Sequence, residues 1–147
     1  MTPPPDQKRR LPLLPRADVD EVDEDRPPWH WSAIGAVAVF VFWLPLILAV
    51  GAAVAGPGAS WGSLHLASFV LASFGSGLLI GRFGGKAGRR EAAVGGAAAG
   101  ATAWLVAVTQ GAPGGILVWL LLLALIAAVG GGAAFAGGAL GLARRKR

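Results

Sequence analysis

The sequence predicts an all-α integral membrane protein, a four-helix bundle of two antiparallel hairpins behind a disordered N-terminal tail. Three observations carry the prediction. Four apolar runs each reach the ~20 residues that cross a ~30 Å hydrocarbon core. Hydrophobic residues make up 54% of the 147 residues and charged residues only 14%, with a mean hydropathy of +0.60, whereas a soluble domain is about 25% charged. Glycine is unusually common, at 23 residues. In a water-soluble core such a composition buries little side-chain bulk, but between membrane helices small residues let backbones approach closely.

Residues 1–28 form the tail. Pro3, Pro4, Pro5, Pro12, Pro15, Pro27 and Pro28 preclude a continuous helix. A basic cluster (Lys8, Arg9, Arg10) precedes an acidic run of Asp18, Asp20, Glu21, Asp23, Glu24 and Asp25, a composition that reads as disordered. The apolar stretch 11–15 is too short and too proline-rich for a signal peptide.

A four-transmembrane-helix domain follows over residues 29–143. Its first span is expected at 31–55, with Trp29 and Trp31 at the interface and Pro45 inside, where it frees the carbonyl of Val41 and kinks the helix. Gly56-Pro57-Gly58 ends it. The second span is expected at 61–81 and leads into the basic loop 82–90. The third is expected at 91–110, and a Gly/Pro turn at 111–115 leads to the fourth at 116–142. Residues 144–147 form a basic C-terminus.

Charge location predicts topology. Of the 13 Lys and Arg residues, five precede the first span, four lie in 82–90 and four follow the last span. Seven of the eight acidic residues are in the tail, and the eighth, Glu91, opens the third span beside Arg89 and Arg90, where the helix dipole favours a carboxylate. The turns between spans one and two and between three and four carry no charge. The positive-inside rule therefore places both termini and the 82–90 loop in the cytoplasm, and four crossings likewise put both termini on one side.

Small residues mark packing faces. Ser73, Gly77, Gly81 and Gly85 recur every four residues, as do Ala92, Gly96 and Gly100, and Gly137 with Gly141. These stripes fit packing within one bundle or, through one of them, a homo-oligomer. A faint duplication echoes between hairpins: Trp43-Leu44 matches Trp104-Leu105, and Gly/Arg-rich closures occur at 85–90 and 141–145.

Few residues offer chemistry. The chain lacks cysteine, which excludes disulfides and thiolate catalysis. His65 is the one ionisable residue inside a span and so the candidate intramembrane polar site. No Asp, Glu or second His joins it within the spans, so a neutral imidazole bonding a carbonyl or serine is expected, with no metal or cofactor. Ser68, Ala72 and Ser76 share a helix face and suit interhelical hydrogen bonds. The glycines of 75–88 fail the nucleotide patterns: the run from Gly81 to Lys86 is one residue short of a phosphate-binding loop, Ala87 stands where Ser or Thr is needed, and Ile80 replaces a required glycine. The basic residues Arg82, Lys86, Arg89, Arg90, Arg144, Arg145, Lys146 and Arg147 flank apolar runs, so their expected partners are anionic lipid headgroups or a membrane protein rather than nucleic acid.

Residues 75–100, GSGLLIGRFGGKAGRREAAVGGAAAG, resemble the central hairpin of small uncharacterised bacterial four-helix membrane proteins, in which two Gly-rich helices flank a short basic loop. The resemblance covers about 26 residues and implies the fold and a location in the bacterial inner membrane, without an activity or a functional residue. The chain does not resemble small multidrug exporters, whose first span carries a glutamate that residues 31–55 lack. The function expected is that of a non-enzymatic accessory, scaffold or assembly subunit. The second expectation is a small oligomeric channel or transporter for a neutral or hydrophobic solute, since charge-free spans disfavour ion coupling.

Overall fold

A computed structural model describes residues 27–53, 59–85, 87–110 and 114–145. The expectations for the tail up to residue 26 and for the turns at 54–58 and 111–113 lie outside the described residues. The described part is all-helical: α1 (Pro28–Ala53), α2 (Ala59–Phe83), α3 (Arg89–Thr109) and α4 (Ile116–Arg145). Each helix is long and apolar enough to cross a membrane.

Local chemistry explains the helix ends. Pro28 opens α1, where the first-turn N–H would have no helical acceptor and a proline is tolerated. The helix continues through Pro45. At the far end of α2, the Gly84 amide donates to the Ile80 carbonyl (2.8 Å) and the Ala87 amide to the Gly84 carbonyl (2.7 Å). Gly85 takes φ +57°, a left-handed conformation that glycine adopts without steric cost. Gly85 therefore lies in a turn after the helix ends at Phe83, and does not extend the Ser73–Gly77–Gly81 stripe as the four-residue spacing suggested. The Gly88 amide donates to Glu91 Oε2 (2.7 Å), so this carboxylate supports the first turn of α3. Both α2 and α4 run past their expected ends, carrying Arg82 and Arg144–Arg145 in their last turns, where the carbonyl end of a helix favours cations.

Packing follows the small residues. A Cβ placed on Gly77 or Gly81 of α2 would strike the carbonyls of Ala134 and Gly138 of α4, and one on Gly137 or Gly141 would strike those of Phe74 and Leu78. Residue numbers rise together along this contact, so α2 and α4 run parallel. A Cβ on Gly100 of α3 would lie 2.9 Å from the Ile126 carbonyl, and one on Gly138 would meet Ala92 at 3.1 Å. Here numbers run in opposition, so α3 and α4 are antiparallel. Among the described residues, α4 packs as extensively on α2 as on α3, while the backbone of α1 packs on α2 and α3 and stays apart from that of α4.

Burial is inverted relative to a water-soluble protein. The buried set is dominated by small residues (Ala72, Ala87, Ala92, Ala99, Ala134, Ser68, Ser73, Ser76), with Val39, Phe69 and Ile80 as the larger members. Large side chains point outward along α1 (Val37, Val41, Leu44, Leu48) and along the first half of α4 (Ile116, Leu117, Leu120, Leu121, Leu125), with Leu48 74% and Ile116 81% exposed. Soluble monomers rarely expose contiguous apolar patches beyond a few hundred Å².

The glycine contact yields a direct prediction. Gly81→Leu should lower the unfolding free energy by at least about 2 kcal/mol, because the new side chain meets backbone that cannot yield. Gly132, whose Cβ direction is open, is the matched control, and Gly132→Leu should stay within about 0.5 kcal/mol of wild type. Denaturation monitored by circular dichroism in detergent compares the two.

Candidate functional site

The fold gathers sequence-distant arginines at one end. Trp31, in the first turn of α1, packs against the cluster of Ile80, Ala87, Ala92 and Ala134. Arg145 at the end of α4 donates through Nη1 to the Gly85 carbonyl. The start of α1, the 84–88 connection, the start of α3 and the end of α4 therefore share one end of the bundle. Arg82, Arg89, Arg90, Arg144 and Arg145 are all exposed there. The Arg89 guanidinium lies over the Phe135 ring (5.6 Å) and that of Arg82 near the Phe83 ring (5.5 Å); such contacts hold a cation at an apolar surface. Lys86, Lys146 and Arg147 lie outside the described residues. Fixed positive charge with bidentate donors suits phosphate or carboxylate groups.

His65 lies toward the opposite end. With Trp43, Leu66, Phe69, Ala103, Ala107 and Ile126 it lines a cavity of about 240 Å³ to which all four helices contribute. One wall is held by hydrogen bonds: Trp43 Nε1 donates to Ser68 Oγ (3.2 Å), and Ser68 Oγ donates to the His65 carbonyl (2.9 Å). The Trp43 and Phe69 rings meet edge to face at 5.3 Å. No group of three His, Cys, Asp or Glu side chains that could hold a metal comes together among the described residues. A second, apolar cavity of about 350 Å³ lies beside Pro45, between Phe42, Leu46, Leu71 and Gly75.

The stripe residues divide between neighbours. Gly77, Gly81, Gly137 and Gly141 join α2 to α4, and Gly96 and Gly100 face Gly130 and Ile126 across the α3–α4 contact. Ser73 lies fully buried, with its hydroxyl lacking a partner among the described residues. The Ser68–Ala72–Ser76 row turns toward α1: Ser76 Oγ donates to the Gly35 carbonyl (2.8 Å), and Ala72 clusters with Val39.

Sequence reading missed Gly35, Gly95, Gly130 and Gly138. A Cβ on Gly95 would lie 2.8 Å from the Ser32 carbonyl of α1, while one on adjacent Gly96 would strike α4. Gly137 faces α2 while Gly138 faces α3. Successive helical residues point about 100° apart, so a glycine doublet marks a helix squeezed by two neighbours. The doublets were the available signal. The tryptophan echo also has a structural counterpart: Trp43 bonds from α1 to α2, and Trp104 Nε1 donates from α3 to the Trp119 carbonyl of α4 (2.8 Å).

Two serines separated by three positions should respond oppositely. Ser76→Ala removes a buried interhelical bond and should cost about 1 kcal/mol of stability. Ser73→Ala removes a buried hydroxyl without a partner and should be neutral or stabilising. Chemical denaturation of the two variants in one detergent measures the contrast. Compared with known protein families, curated proteins and solved structures, the chain matches none.

Proposed function

We propose that the chain is a four-span membrane protein that acts without catalysis as an accessory or assembly subunit, its arginine end on the cytoplasmic side of the bacterial inner membrane and its outward apolar faces in lipid or against a membrane-protein partner. The observation that carries this proposal is the inverted burial: mostly glycine, alanine and serine inside, and most leucine, isoleucine and valine outside. In water that surface carries a large hydrophobic penalty, on the order of 25 cal/mol for each exposed Å². In hydrocarbon it carries none, and backbone polar groups are satisfied within helices. The two-hairpin construction fits the short connections and the Trp43 and Trp104 bonds. The orientation rests on the basic bias of the 82–90 and 144–147 segments.

A non-catalytic role fits the interior chemistry. A membrane enzyme needs a nucleophile with a base, or metal ligands, held together, and the helices supply His65, His30 in the first turn of α1 and scattered hydroxyls. A channel within one copy has little room, because α2 and α4 meet backbone to backbone along Gly77–Gly81 and Gly137–Gly141. A pore for a neutral solute would run between copies.

The absence of cysteine makes topology directly measurable. In intact cells, a membrane-impermeant maleimide should label Gln110→Cys and should reach Arg90→Cys only after permeabilisation; the reverse pattern inverts the assignment. Isolation of tagged protein in mild detergent should recover a membrane-protein partner in fixed ratio. A lone monomer would remove the accessory role, and solute flux in proteoliposomes above protein-free controls would replace it with a pore.

A further inference from the structure

We infer that the acidic segment 18–25 of this chain docks on its own arginine end and is displaced from it by anionic lipid headgroups. Tertiary structure supplies the receptor. Arg82, Arg89 and Arg90 around the α2–α3 connection and Arg144 and Arg145 at the end of α4 are separated by more than fifty residues in sequence. The Arg145–Gly85 bond and the packing of Trp31 on Ile80, Ala87 and Ala92 bring them to the end where α1 begins. All five side chains are exposed.

The chain supplies the ligand. Residues 17–25 hold six carboxylates and no basic residue. Asp25 lies three positions before Pro28, the first residue of α1, so the acidic run is tethered beside the cluster by construction. Extended chain covers at most about 3.6 Å per residue, so eight residues reach ~28 Å. A four-helix end, at about 10 Å per helix, is ~20 Å across. The run can therefore reach every arginine, and the short tether gives it a high effective concentration there. Six carboxylates are thereby set against the five exposed arginines described at this end. Glu91, the carboxylate beside Arg89 and Arg90 in the chain, accepts from the Gly88 amide, and among the described residues no carboxylate pairs with the five arginines, whose contacts are the Gly85 carbonyl and the Phe83 and Phe135 rings. Phosphate headgroups present the same bidentate acceptor chemistry as the tail carboxylates, so the two compete for one surface.

Docking rests on the proposal that the helices cross a bilayer, but it holds whichever compartment the arginine end faces, so an inverted topology leaves it intact. The experiment uses the full-length protein in nanodiscs of either zwitterionic phosphatidylcholine or anionic phosphatidylglycerol. A carbodiimide joins carboxylates to amines in direct contact, and Lys86 and Lys146 are the lysines next in sequence to Gly85 and Arg145. In phosphatidylcholine discs at low salt, mapped cross-links should join residues 18–25 to Lys86 or Lys146 within one chain, as shown by mixing isotopically light and heavy protein. Their yield should fall about fivefold in 1 M salt, where the screening length shrinks to ~3 Å, and similarly in phosphatidylglycerol discs. A spin-label pair at Val22→Cys and Ala143→Cys should report a short, narrow distance distribution in phosphatidylcholine that broadens when all six carboxylates are replaced by amides. Absence of these cross-links in phosphatidylcholine, a yield insensitive to lipid charge, or links only between light and heavy chains overturns the inference.

Discussion

Backbone-to-backbone contact between α2 and α4 is the constraint on which the rest of the bundle depends. Gly77 and Gly81 lie against the carbonyls of Ala134 and Gly138, and Gly137 and Gly141 against those of Phe74 and Leu78. Any side chain at these four positions separates the helices. In the proposed bilayer no hydrophobic force would press the helices together, so association would rely on dispersion, close Cα–H···O contacts and hydrogen bonds, all of which need short distances. The parallel α2–α4 seam also fixes where α3 fits, antiparallel to α4 along Gly96 and Gly100. It leaves α1 to pack on α2 and α3 on the other side.

Interior and exterior follow from that seam. Close backbones leave room inside for few large side chains (Val39, Phe69 and Ile80), so most bulky apolar residues of α1 and α4 face outward. The polar interior is sparse, and most of what is visible of it ties helices together. Ser76 bonds the Gly35 carbonyl, Trp43 bonds Ser68, and Trp104 bonds the Trp119 carbonyl. Such bonds average about 0.6 kcal/mol in membrane proteins, so they set orientation and register more than total stability. The cavity beside His65 is lined by larger side chains, Trp43, Phe69 and Ile126 among them, and by no glycine.

The same geometry concentrates charge. Because α1 and α3 start, and α2 and α4 finish, at one end, the arginines of three separate chain segments converge there. The carbonyl ends of α2 and α4 stabilise the cations nearest them. The surface made in this way is assembled by tertiary contacts, even though each cluster has a simple local role as a helix flank.

The sequence by itself determined that the chain is helical, where the apolar runs lie and which residues are small enough for helix contacts, because helix-length apolar runs, proline, glycine and charge act locally. It also singled out Ser76 and Ser68 as partners for a neighbouring helix, since i, i+4 spacing sets a common face. It could not assign the neighbour. The stripe Ser73–Gly77–Gly81 read first as packing within one bundle, with a second copy as the alternative, and only the folded chain shows α4 occupying the Gly77–Gly81 part of it. Gly85 fitted the stripe by spacing but lies in the turn, because the Gly84 amide caps Ile80 and the left-handed φ ends the helix. The tertiary structure alone decided that Gly95 and Gly96 serve two different helices and that Arg145 meets Gly85 sixty residues away. The physical reason is that helix pairing depends on complementary surfaces from distant segments, and no single segment encodes its partner.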